Sequence, residues 1–203
     1  VKYVTIDMWI PYKDVSKKYL PNCIIAVDPF HVVEHLTNAF ARIRLNILNQ
    51  CEYNSDTYYL LKTWKDLIEK DVFLDNEPVY NKRFGCKLNK RDLQTLILDT
   101  SSTLSLGYEL KEKYLRFNKE ATPENCEQWF DKLSEEFANS KINEYSEFIT
   151  TLANWKYEIL NSFKRPFDDR KLSKFALNPK VFYTFTDKII SNKLKVKNVV
   201  KIN

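Results

Sequence analysis

Two short runs at the start decide how this chain is read: Val1-Lys-Tyr-Val-Thr-Ile-Asp7-Met-Trp-Ile-Pro11 and Cys23-Ile-Ile-Ala-Val-Asp28-Pro-Phe-His31. Each is a brief apolar run that ends on an aspartate. Val4 and Ile6 alternate with Tyr3 and Thr5 in the first; Ile24 to Val27 are continuous in the second. Short β-branched runs bounded by Asp and Pro read as strands buried on both faces, the habit of a parallel sheet. Tyr12 to Leu20, polar and helix-compatible, is long enough for the crossover that a parallel pair needs. In open α/β sheets ligands collect just past the carboxyl ends of the strands. Asp7 and Asp28 both stand there.

Beyond residue 32 the periodicity turns helical. Val32, Val33, Leu36, Phe40, Ile43, Leu45 and Leu48 predict an amphipathic helix to about Gln50, with Arg42 and Arg44 on its polar face. Tyr58, Leu61, Trp64, Leu67 and Ile68 predict a second helix over 57–70, carrying Lys62 and Lys65. Residues 71–88 read as irregular, broken by Pro78 and Gly85, with a small basic cluster at Lys82 and Arg83. Asn89 is the expected cap of a helix to about Thr100, and Ser101 or Ser102 of the next, to about Phe117. Gly107 falls inside that helix, which a close helix crossing would explain. Thr122-Pro123-Glu124 predicts a helix start by hydroxyl cap, proline and acid, and a last long helix spans 143–163 before Pro166. The residues from 187 onward form a Lys/Asn/Val/Ile tail with little amphipathic order.

Composition narrows the function classes. Only two glycines occur, which removes phosphate-cradling loops and dinucleotide fingerprints. The four cysteines have no paired spacing, so neither a zinc motif nor a redox pair is expected. Thirteen Phe, twelve Tyr and four Trp suit a folded core. The net charge of +5 is compatible with a polyanionic partner, although acids and bases are well mixed. No apolar stretch suits a membrane span, so no membrane partner is expected and a cytoplasmic location is.

The opening motif V-K-Y-V-T-I-D-M-W-x-P-Y, followed by L-P-N-C-I-I-A-V-D-P-F-H-V-V-E-H-L, resembles the insertion-sequence transposases of the ISL-three group. The likeness continues through Ala39–Arg44, Leu60–Lys62, Leu106–Lys111, Trp155–Leu160 and Asp169–Ser173. It implies a DDE transposase with an RNase H-like catalytic core that cleaves and joins DNA with divalent metal, Mg2+ or Mn2+. Asp7 matches the second acid of that family's triad and is the expected catalytic metal ligand. Asp28 and His31 match its Asp-x-x-His element. From the residues alone, Asp7 reads first as a structural acid that closes a strand and caps the following turn, and Asp28-Pro29 as an ordinary helix entry. His31 and His35 are one helical turn apart, but two ligands do not make a metal site.

The expected architecture is therefore mixed α/β and mainly helical. Residues 1–31 are expected to be part of an RNase H-like core, 32–165 an all-α insertion, and 166–203 a degenerate segment. The resemblance places the last acid of the triad, a Glu, at Asn178, beside Pro179. Together with the abrupt start this implies a copy incomplete at both ends and inactive alone, whose own metal occupancy stays open. Arg42, Arg44, Lys62, Lys65, Lys82 and Arg83 are candidate contacts to phosphates of transposon-end DNA, with Trp64 or Tyr58 to stack on a distorted strand. Self-association with transposase subunits is a further expectation. The competing readings are a non-catalytic helical module that binds DNA or protein, and a helical interaction protein with no nucleic-acid role.

Overall fold

A computed structural model describes residues 2–164. The opening runs form β1 (Tyr3–Ile6) and β2 (Ile24–Val27), joined by α1 (Ile10–Tyr19). The strands pair in parallel, Tyr3 with Ile24 through Ile6 with Val27. Pro11 sits in the first turn of α1, where its missing N–H costs nothing. The expectation of two strands buried on both faces holds for one of them. Ile25, Ala26 and Val27 are buried, whereas in β1 only Ile6 is. The reason is that the helix carrying Asn161, whose side-chain amide donates to the Ile25 carbonyl, packs along β2, whereas β1 lacks such a cover among the described residues.

Helix α2 (Pro29–Gln50) follows directly. The stretch predicted as one helix over 57–70 is two, α3 (Asp56–Thr63) and α4 (Asp66–Glu69). In a continuous helix the Leu61 carbonyl would accept from Lys65; here the Arg44 guanidinium donates to it at 3.2 Å. Both pieces keep their apolar residues on one face, so periodicity could not reveal the break. The irregular 71–88 stretch contains a hairpin, β3 (Val79–Asn81) with β4 (Cys86–Leu88), antiparallel. Its strands are too short and exposed to give an alternating pattern. Gly85 adopts φ +64° in its turn.

The capping predictions meet mixed outcomes. Asn89 and Asp92 form a reciprocal capping box on α5 (Lys90–Leu98), and Ser101 caps α6 (Ser102–Glu120). Thr122 does not cap α7, which starts later (Cys126–Asn139). Its carbonyl accepts from Asn125 and Cys126 in a preceding turn, and its hydroxyl bonds the Glu124 carboxyl, holding that acid below its usual range. A 3-10 turn (Asn143–Tyr145) leads into α8 (Ser146–Phe163). The segment from residue 165 on, with Pro166, Asn178 and the expected degenerate region, lies outside the described residues.

One apolar core runs through the described residues, from Ile6, Ile25 and Val27 to the aromatic cluster of α6, α7 and α8. Phe117 lies 4.9 Å from Phe163, and Phe137 5.1 Å from Phe148, ring to ring. The residue 31/32 boundary therefore falls within α2 and within a shared core. The helix crossing foreseen at Gly107 is present: a Cβ there would come 2.8 Å from Ile43 Cδ1. The Tyr145 hydroxyl donates to the Gly107 carbonyl at 2.7 Å. Burial pushes the Tyr145 phenol well up, so it remains a donor at any ordinary pH. No helix among the described residues is long and apolar enough to cross a membrane.

The crossing sets an order of sensitivities. Gly107→Val should destabilise by about 2–3 kcal/mol through overpacking against Ile43. Tyr145→Phe, which loses one buried hydrogen bond, should cost about 1 kcal/mol. Urea denaturation of both variants checks this, and the reverse order would contradict the packing.

Candidate functional site

The last register pair of the parallel strands is Ile6 with Val27, and the Asp28 amide donates to the Ile6 carbonyl at 2.9 Å. Asp7 and Asp28 therefore leave the sheet side by side at its carboxyl edge, on backbones about 5 Å apart by ordinary strand spacing. Their side chains differ in employment. The Asp28 carboxylate accepts from the Phe30 amide at 3.0 Å and caps α2. Asp7 is half-buried, and its Oδ1 atom has neither solvent access nor a hydrogen-bond partner among the described residues. Leaving such an atom unmatched costs about 1–3 kcal/mol, so it calls for a cause.

A third element reaches this edge. Helix α8 runs antiparallel to β2 and α2: Glu147 meets Arg42 at 3.0 Å, Thr151 meets His35 at 3.3 Å, and the Asn161 amide donates to the Ile25 carbonyl at 2.8 Å. Glu158 lies between the last two and so belongs beside the strand ends. It bonds Lys13, in the first turn of α1, at 2.6 Å, and Lys13 also lies 4.8 Å from the Trp155 ring. Glu158 Oε2 is likewise a buried oxygen without a partner among the described residues, as is Asp66 Oδ1 on α4. Sequence reasoning passed over the Lys13–Glu158 pair. The available signal was an acid three residues after Trp155, on the stripe of α8 that also carries Ile159 and Ser162 inward.

His31 is half-exposed and faces Glu34 at 3.5 Å, with its ring edge-on to Phe30. His35 takes Thr151 instead, so the two histidines do not converge. Among the described residues no group of three or more His, Cys, Asp and Glu is placed to hold a metal ion. Asp7 fits as one ligand of such a group, having a free oxygen at the right edge, and the described residues do not complete it.

The structure sorts the six basic candidates. Arg44 is a correction: it is not on a polar face but buried, 2.6 Å from Glu69 and donating to Leu61, which leaves nothing for a phosphate. Arg42 is exposed and engaged by Glu147 and the Glu144 carbonyl. Arg83 bonds Asp56 at 2.6 Å and both the side chain and the carbonyl of Asn54. Lys62 donates to the Tyr58 hydroxyl at 2.9 Å, which raises its pKa. Lys65 and Lys82 are exposed. Trp64 is half-buried against the core with its indole nitrogen enclosed.

Two variants separate the roles at the strand edge. Lys13→Met strips Glu158 of the one partner it has among the described residues and should cost about 3 kcal/mol. Asp7→Asn removes a charge without a partner among the described residues and should leave stability within about 0.5 kcal/mol or raise it. Equilibrium unfolding measures both, and a large loss from Asp7→Asn would mark that carboxylate as structural.

Searches among curated proteins and among solved structures found no significant match. A family model described as transposase, the DDE type of the ISL3 group, matches residues 1–168. That match spans all four strands and every helix described, and the chain belongs to the ISL3 family of DDE transposases.

Proposed function

We propose that residues 1–31 are the strand-helix-strand portion of an RNase H-like transposase core, that 32–165 are its helical insertion, and that Asp7 is one carboxylate of its divalent-metal site. The observation that carries this reading is the unmatched, buried Oδ1 of Asp7 beyond the end of a parallel strand. Mg2+ or Mn2+ bound there would activate the attacking oxygen and stabilise the leaving oxygen of a phosphodiester. The chain's own contribution is to hold Asp7 at the sheet edge. β1 supplies its backbone position, and the Lys13–Glu158 pair fastens the following helix to α8. Asp28 fixes the start of α2 and stays out of the chemistry. The remaining acids come from outside the described residues, so residues 2–164 do not cleave DNA by themselves. Of the six candidate cations, Lys65, Lys82 and the Tyr58-bonded Lys62 are the exposed ones without an acidic partner among the described residues and would meet transposon-end DNA, and self-association with transposase subunits belongs to the same reading.

A second reading is a non-catalytic module that keeps the DNA or subunit contacts of its family. It is favoured by the single free carboxylate at the edge. The two separate in a full transposase that carries this segment with a complete acid set. There, Asp7→Asn should lower metal-dependent cleavage by about three orders of magnitude, as the loss of several kcal/mol of charge stabilisation implies, with DNA affinity retained. Equal cleavage with Asn at this position would overturn the assignment.

A further inference from the structure

Residues 79–91 carry five basic side chains and no acid. Three of the five have partners: Arg83 binds Asp56 and Asn54, Lys90 meets Asp75 at 2.7 Å, and Arg91 donates to Asn76. Those bonds anchor the hairpin rather than present charge. Lys82 at its tip and Lys87 on β4 are exposed, with no acidic partner among the described residues. Asn81 is buried and its side chain accepts from the Arg83 amide, which turns that face of β3 inward. Tyr80, its neighbour in the strand, therefore faces outward. It is 60 % exposed and stands directly across from Lys87.

The surface continues from the hairpin. Arg83 clamps Asn54, and the next residue back, Tyr53, is 81 % exposed. Tyr53 lies 5.3 Å from the Tyr58 ring, to which Lys62 is hydrogen-bonded. Basic and aromatic side chains thus follow one another in a strip from the hairpin to α3, Lys87, Tyr80, Lys82, Tyr53, Tyr58 and Lys62, in which Tyr53 and Tyr80 are open and Tyr58 is half-buried between Tyr53 and Lys62. Of the nearby acids, Asp56 is neutralised by Arg83, while Glu52 and Glu77 flank the strip.

We propose that this strip binds a DNA segment with unpaired bases, lysines meeting successive phosphates and Tyr53 and Tyr80 offering stacking platforms. The lysines alone would suit any polyanion. The aromatic faces decide for unpaired bases, because a duplex hides its π-faces and a phosphate has none. The choice of DNA over RNA rests on the transposase reading above; the strip itself does not depend on Asp7.

The test is fluorescence anisotropy of the unsubstituted chain with a labelled single strand of about 20 nucleotides, with the corresponding duplex, and across a salt series. Lys82→Gln combined with Lys87→Gln should weaken single-strand binding about tenfold and reduce the salt slope by about 1.4, near 0.7 for each phosphate no longer neutralised. Tyr53→Ala and Tyr80→Ala should each weaken it about fivefold or more, with little effect on the duplex. Lys132→Gln, on the exposed side of α7, should change neither, and circular dichroism should show every variant folded. Single-strand binding that survives the hairpin variants unchanged overturns this placement and leaves the transposase reading standing. So does a loss from Lys132→Gln as large as theirs. Silent tyrosine variants with tight duplex binding overturn the unpaired occupant, and no binding to either oligonucleotide overturns DNA as the partner.

Discussion

The strand ends stay where they are because α8 lies along β2 and continues along α2. Two parallel strands cannot bury themselves, and β2 loses its solvent only because α8 covers it. The Asn161 amide reaches across 136 residues of sequence to the Ile25 carbonyl, a backbone acceptor of β2. Since β2 flows into α2 through the Asp28 cap, one helix holds both the strand and the element that follows it. The sheet edge that carries Asp7 is thus fixed by the last helix of the described region, not by its sequence neighbours alone. The Lys13–Glu158 pair ties α1 to that helix at the same end.

Charge in this molecule is mostly spent internally. Arg44 stabilises a helix break by taking the carbonyl that Lys65 would have used, and Glu69 balances it. Lys111 is buried beside Phe40 and Tyr108, with Glu112 at 2.5 Å. Arg83 holds a hairpin to the start of α3. The positive total of +5 therefore says little about where a polyanion would sit. The lysines without acidic partners say more, because an unpaired exposed cation gives up only its hydration when a phosphate arrives, and no existing salt bridge.

Much of this was legible in the residues, for reasons that can be named. The strands, their parallel pairing and α2 followed from β-branched runs and a sustained 3.6-residue period, signals that tertiary contacts seldom override. Asn89 and Ser101 were readable because capping is local chemistry. What stayed hidden was set by distant partners. Arg44 looked like a polar-face residue because its acceptors, Leu61 and Glu69, stand on other elements. The break between α3 and α4 leaves the hydrophobic period intact. The hairpin has strands of three residues, too short for alternation to register. Glu158 was visible only as an acid on an apolar stripe, and its pairing with Lys13 needed the antiparallel course of α8.

Asp7 and Asp28 make a comparison that the fold itself provides. Both follow a parallel strand, at neighbouring register positions, and both precede a helix. Asp28 shows how an aspartate at this position is settled when its role is structural: the carboxylate turns onto the Phe30 amide and the helix gains a cap. Asp7 stands differently: the cap position of α1 is Trp9, two residues further on, so Asp7 is not placed to cap its helix as Asp28 does. Trp9 makes no side-chain bond at that cap, and Asp7 keeps an oxygen buried without a partner among the described residues. On the metal-site reading proposed above, that oxygen is where positive charge from outside would be met. A divalent cation would suit it, because hard cations take carboxylate oxygens while keeping water and substrate phosphate in their remaining positions.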